Sequence, residues 1–158
     1  MAFKGQELIL LNAPPSIAAL RAPAIAAKRW NLLRGDLPLP LAVIQRDALA
    51  GNVRWMQQFA RDRGVDLAPH GKTTMSPQLF EAQLRAGAWG ITFANVTQAR
   101  LGLASGVRRA LIANQVAAKA DLDGIVHALG EYPGARVLFL VDSLQQLELD
   151  PVDESRPI

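Results

Sequence analysis

Lys72 stands in the run Pro69-His70-Gly71-Lys72-Thr73-Thr74, directly after the apolar stretch Val65-Asp66-Leu67-Ala68. A lysine at the end of a buried strand can be partly desolvated, which favours the neutral amine that attacks an aldehyde to form a Schiff base. Around it, Gly71 allows close approach of a bulky ligand, Thr73 and Thr74 offer hydroxyls, and His70 offers proton transfer near neutral pH. A solvated loop lysine is the other reading, and residue chemistry alone favours it. Asn114 and Gln115 end a second apolar run, where a site role competes with an asparagine that organises its own turn. Asp142 ends a third, where capping of the following helix is slightly preferred over a site role. His127 falls on a helical stretch and reads as surface or packing, while Trp30, Trp55 and Trp89 are scattered and read as packing aromatics.

The elements that must position these residues are short apolar runs alternating with helix-patterned stretches, the mark of βα units around a parallel sheet. Strands are expected at 41–44, 65–68, 90–95, 110–114 and 136–141. The first intervening helix runs from Asp47, a plausible N-cap, to Arg63, with Leu49, Val53, Met56 and Ala60 at helical spacing and Gly64 as its stop. Ser76-Pro77 opens the next, which buries Leu79, Phe80 and Leu84 and closes at Gly87. Helices at 97–105 and 119–129 follow, the latter with Leu122, Ile125, Val126 and Leu129 on one face. Leu144 to Leu149 supplies fewer than two turns, and the Pro-interrupted polar tail 150–158 is expected to be disordered. Upstream, Ala/Leu-rich stretches at 16–21 and 24–33, broken by prolines, suggest short helices in an N-terminal extension. This period suits an open doubly wound sheet or part of a βα barrel.

The 158 residues carry 17 Lys+Arg and 14 Asp+Glu, half are hydrophobic and a fifth charged, which describes one soluble globular domain with enough apolar residues for a core. The basic residues form dipeptides such as Lys28-Arg29 and Arg108-Arg109 rather than stripes, and only 6% are aromatic, so neither a phosphate track nor a base-stacking platform is expected. With no cysteine, thiolate metal sites and disulfides are excluded. No export signal or membrane-length apolar run is found, and cytoplasm is the default expectation.

A longer pattern carries a resemblance. It runs through Gly35-Asp36-Leu37-Pro38-Leu39-Pro40, Arg46-Asp47-Ala48-Leu49-Ala50-Gly51-Asn52 and Pro69-His70-Gly71-Lys72-Thr73-Thr74-Met75-Ser76-Pro77-Gln78-Leu79-Phe80. It continues through Gly87-Ala88-Trp89-Gly90-Ile91-Thr92 and Gly106-Val107-Arg108-Arg109 to Ala113-Asn114-Gln115. These motifs resemble the N-terminal part of fold-type III pyridoxal-phosphate enzymes, in the branch of D-serine dehydratases, D-threonine aldolases and bacterial amino-acid deaminases. The resemblance implies an α/β fold: a partial TIM-type (β/α) barrel of about five parallel strands at 40–149, alanine racemase N-terminal-like, after an N-terminal helical extension at 1–39.

By that resemblance, Lys72 matches the lysine that binds pyridoxal 5'-phosphate as a Schiff base and acts in catalysis, and His70 sits beside it. With Asn114, at a strand end facing a barrel mouth, these are the expected cofactor contacts. The implied activity is that of a D-amino-acid deaminase or dehydratase, acting on a D-serine-type substrate by β-elimination to a keto acid and ammonia. A D-threonine aldolase-type lyase and a non-catalytic cofactor-binding or assembly fragment are the alternatives. The family's metal site lies in a C-terminal region with a histidine and a cysteine or aspartate, so no metal is carried over. Family members are much longer, so the chain is expected to be a truncated piece, inactive alone, that self-associates through exposed sheet edges.

Overall fold

The computed structural model of the protein describes Glu7–Leu8, Leu20–Arg21, residues 27–41 and residues 43–148. The chain divides into two compact units, 1–46 and 47–158. In the first, β1 (Glu7–Leu8) pairs antiparallel with β2 (Leu20–Arg21), so the helix expected over 16–21 is not continued at its last two residues. The helix expected over 24–33 also ends early. After Ala27 the chain turns, Arg29 takes a positive φ of 50°, and only a 3₁₀ turn over Leu32–Arg34 follows. Short-range polar groups hold that turn. The Asn31 side-chain oxygen accepts from the Leu33 N–H at 2.9 Å, and Asp36 Oδ2 accepts from the Asn31 N–H at 2.7 Å and from Arg34 at 3.0 Å. The backbone bond from Asn31, then the Arg34 guanidinium, hold the Asp36 carboxyl below its ordinary range.

The second unit is built on a parallel sheet. Its first helix, α1 (Arg46–Asp62), begins one residue before Asp47, which therefore lies in the first turn rather than at the cap. The Gly64 N–H returns to the Arg61 carbonyl and the Val65 N–H to the Ala60 carbonyl, closing the helix where the glycine predicts. Its buried positions are Gln57 and Ala60, with Leu49 and Val53 half-buried. Met56 is exposed, and so is Trp55 at 64%, which stacks on Phe59 at 5.5 Å beneath no core element. Arg63 lies 3.6 Å over the Phe59 ring, so this aromatic pair is a surface cluster, not packing in the core.

Next come α2 (Pro77–Arg85), β3 (Ile91–Phe93), α3 (Val96–Ala104), β4 (Arg109–Gln115), α4 (Lys119–Glu131), β5 (Arg136–Leu140) and α5 (Leu144–Glu148). The helix starts follow local chemistry. Pro77 takes the first helical position of α2 as expected, while the Ser76 hydroxyl turns to the Gln78 carboxamide instead of a backbone N–H. Asn95 caps α3 by accepting from the Gln98 N–H at 2.9 Å, and Gln98 answers by accepting from the Ala94 N–H at 3.0 Å. On α4 the buried positions are Leu122, Ile125 and Ala128; Val126, expected inside, is half exposed.

The sheet order is β3-β4-β5, all parallel. Ile91, Ala110 and Val137 align across it, as do Phe93, Ile112 and Phe139, and these two rows face the helices. Phe93 and Ile112 are fully buried, joined in one core by Phe80 of α2, Val96, Ala99 and Leu103 of α3, and Leu122 and Ile125 of α4. The alternate row Thr92, Leu111, Leu138 lies on the opposite face by the two-residue period of strands, and there Leu138 and Leu140 are 40% and 47% exposed.

Three strands form where five were expected. The 41–44 run is not a strand: Leu41, Val43 and Ile44 are exposed and Ala42 lies outside the described residues. β-propensity without a neighbouring strand to bond leaves an apolar run unpaired. The 65–68 run is displaced along the chain. Val65 is held by the helix end, and pairing begins at Leu67, whose carbonyl accepts from Trp89 N–H at 2.8 Å, and reaches Gly71. This stretch bridges the free edge of β3 in parallel through His70 and Thr92. The expected tail at 150–158 lies outside the described residues. No helix among the described residues is long and apolar enough to cross a membrane.

Candidate active site

The 67–71 stretch is fastened to β3 by three bonds: Thr92 N–H to the Pro69 carbonyl and Gly71 N–H to the Thr92 carbonyl, each 2.8 Å, and Thr92 Oγ1–H to the Ala68 carbonyl at 2.7 Å. The buried Thr92 hydroxyl thereby satisfies a carbonyl that the short bridge leaves free. Because His70 and Thr92 are bridge partners, they share the face that also carries Leu111 and Leu138. Gly71 points the other way. A Cβ there would lie 2.6 Å from Phe80 Cε1 and 2.7 Å from Ile91 Cγ2, so the glycine serves packing between α2 and β3 rather than approach of a ligand to the backbone.

Lys72 follows at the start of a turn closed by the Met75 N–H to Gly71 carbonyl bond of 2.9 Å. Counted from the His70–Thr92–Leu111 row, Lys72 lies two residues and Asn114 three residues toward the carboxyl edge. They are separated by two interstrand steps, about 10 Å. A span of that size leaves room for one small ligand between them. Lys72 is exposed, so the partial desolvation expected from its place after an apolar run is not found, and among the described residues it has neither a salt bridge nor a side-chain hydrogen bond. His70, Thr73 and Thr74 beside it are exposed too.

On the other strands the register breaks at this edge. Ile112 pairs with Phe139, but the next pair is Gln115 with Leu140, so β4 carries extra residues where Asn114 sits. Such bulges re-aim side chains at the ends of strands. Asn114 uses its carboxamide oxygen on the Gln115 N–H at 3.0 Å, the turn-organising role, which leaves its amide donors free of any described partner. Gln115 Nε2 donates to Asp142 Oδ2 at 2.9 Å. Asp142 therefore bridges strands, and the helix cap falls to Ser143, whose hydroxyl accepts from the Gln146 N–H at 3.3 Å.

Gln146 is the residue that sequence reasoning missed. It is buried, donates to the Val116 and Leu140 carbonyls at 3.0 and 3.1 Å and accepts from the Asp142 N–H at 3.2 Å, tying the ends of β4 and β5 together. A glutamine in a five-residue helix gives no periodic signal of such a role. His127 is exposed and 3.4 Å from Glu131 on its own helix, as the surface reading expects.

A pyridoxal-phosphate group needs a free amine to condense with its aldehyde and donors for its ring and oxygens. The unpartnered Lys72 amine, with the His70 imidazole, the two threonine hydroxyls and the Asn114 amide at one sheet edge, fits the aldehyde end of such a group. Carboxyl ends of parallel strands are also where barrel and doubly wound folds place their sites.

The chain matches no protein-family model. It is 40% identical over 81 residues to the D-threo-3-hydroxyaspartate dehydratase of Delftia sp. (strain HT23), covering 51% of this chain and 21% of that protein. To the D-threonine aldolase of Arthrobacter sp. it is 34% identical over 106 residues, 67% of this chain and 27% of the relative. Among solved structures, a mutant D-threo-3-hydroxyaspartate dehydratase superposes with a TM-score of 0.70 at 31% identity, over 80% of this chain and 31% of the other. The chain thus spans under a third of the length of the proteins it matches. Sequence and fold together make it a homologue of part of the fold-type III pyridoxal-phosphate dehydratases and aldolases of D-amino acids.

Proposed function

We propose that the chain is the lysine-bearing, cofactor-binding part of a D-amino-acid deaminase or dehydratase of the D-serine type, with pyridoxal 5'-phosphate as its cofactor. The observation that carries this reading is Lys72, exposed and unpartnered among the described residues at the carboxyl edge of a parallel sheet. When bound, the cofactor's pyridine ring takes up the electron pair released at the substrate Cα. Lys72 Nζ would hold the cofactor at its aldehyde carbon and, once displaced by the substrate amine, would accept the Cα proton. His70 would orient the ring from the same sheet face as Thr92, and the free amide of Asn114 would donate to a cofactor oxygen. Loss of a β-hydroxyl from the substrate then leads to a keto acid and ammonia. A D-threonine aldolase-type cleavage is the second reading, supported by the 34% identity to such an enzyme.

Borohydride reduction after incubation with pyridoxal phosphate, followed by peptide mapping, tests the reading. The chain has four lysines, Lys4, Lys28, Lys72 and Lys119, so selectivity is measurable. A single pyridoxyl group on Lys72, lost in Lys72→Ala, is the expected result. Label spread over the other three, or unchanged in the variant, overturns it.

The uncovered face of β5 belongs to the same reading. Leu138 and Leu140 are 40% and 47% exposed, and β5 has no outer neighbour among the described strands, so self-association is expected. A sedimentation profile with one monomeric species across a tenfold concentration range speaks against it.

A further inference from the structure

The opposite, amino-terminal edge of the sheet carries a second concentration of charge. Arg109 opens β4 and Arg136 opens β5, and the two are direct partners in the parallel register. Arg108 adjoins them, its carbonyl accepting from the Arg136 N–H at 2.8 Å. In sequence Arg108-Arg109 is a lone basic pair; the fold adds a third guanidinium from 27 residues along the chain. These arginines line a groove of about 520 Å³ together with Trp89, Gly106 and Gly134. No lining residue is acidic, and none of the three arginines has a salt bridge among the described residues. Arg109 is held in place from one side, its guanidinium donating to the Trp89 carbonyl at 3.3 Å and lying 5.4 Å from the Trp89 ring centroid.

Like charges on paired strand positions, about 5 Å apart at the backbone, repel each other. That spacing is shorter than the screening length of about 8 Å at physiological salt, so simple ions leave much of the repulsion in place. A multivalent oxyanion removes it and matches the planar donor forks of several guanidiniums at once. The groove's volume lies in the range of small-ligand sites. We propose that it binds a small solute bearing a diphosphate or polyphosphate group. In a βα fold this edge lies away from the strand ends that carry the chemistry, so the site is separate from Lys72 and its occupant is an effector rather than a substrate.

Titration of the full chain with pyrophosphate, followed by calorimetry and tryptophan fluorescence, tests the assignment. Saturable binding at one site is expected, weakened about tenfold in each of Arg136→Gln and Arg108→Gln, with partial recovery in Arg136→Lys, and unchanged in Lys72→Ala. Citrate, with three carboxylates, is expected to bind about tenfold more weakly than pyrophosphate. Thermal melts of the variants separate lost binding from lost folding, and Arg108, which precedes β4, serves if Arg136→Gln does not fold. Binding that does not saturate, that is insensitive to the arginine substitutions, that is lost in Lys72→Ala, or that is matched by citrate overturns the proposal.

Discussion

Phe93→Ala is expected to lower the stability of the second unit by about 3–5 kcal/mol, the range for removing a buried phenylalanine. Phe93 is fully buried on the helix-facing side of β3, its ring edge-on to Phe80 of α2 at 5.5 Å and 86°, and it presses against Gly102 of α3. A void at that point has walls on three elements, and β3, bonded to β4 on one side and to the 67–71 stretch on the other, cannot collapse into it. A small domain has a total stability of about 5–15 kcal/mol, so the loss takes a large fraction of it. In a thermal melt the variant's Tm should fall by about 15–25 °C. Phe93→Leu, which keeps most of the volume, should fall much less. A Tm within about 5 °C of the parent for Phe93→Ala would mean that the core is not centred here.

The second large effect is expected at Gly71, where stability and the site meet. An alanine methyl would overlap Phe80 and Ile91, and neither ring nor branch can step aside, since both are buried in the core. Overpacking of this kind costs about 1–3 kcal/mol. The strain falls on the bonds that anchor the 67–71 stretch, the Gly71 N–H to Thr92 and the Met75 N–H to Gly71, and so on the turn that presents Lys72. Gly71→Ala should therefore lose stability and also lose selective pyridoxyl labelling of Lys72. Gly71→Ala with Phe80→Leu, which vacates part of the space, should recover both in part. If the glycine instead admitted a ligand to the backbone, Gly71→Ala would abolish labelling while the Tm stayed unchanged, and the Phe80 substitution would restore nothing.

The contrast at Gly71 shows where sequence reading stops. A glycine beside a reactive lysine is compatible with ligand approach or with tight packing, and the residue type is the same in both. Only the neighbours Phe80 and Ile91, nine and twenty positions further on, decide between them. Asp142 is similar. Its place before a short helix suggests a cap, but the extra residues in β4 bring Gln115 within 2.9 Å, and the cap passes to Ser143.

The helices after Gly35 were legible with small shifts: α1, α2, α3 and α4 each start within one residue of the expected position. Their signals are local, because residues three and four apart meet on one face and caps act over a single turn. The strands were less so. Apolar runs announced β3, β4 and β5, yet runs of the same texture at 41–44 and 65–68 formed no strand of their own.

By itself, then, the sequence determined the order and kind of most elements, the apolar faces of the helices, and the position of Lys72 at the end of an apolar run, because each depends on contacts within a few residues. The tertiary structure decided which strands pair, the displacement of pairing to 67–71, the bulge at Asn114, the role of Gln146 and the meeting of Arg108 and Arg109 with Arg136. Parallel strands bond only to segments distant in the chain, and no local pattern records which distant carbonyl or guanidinium will arrive alongside.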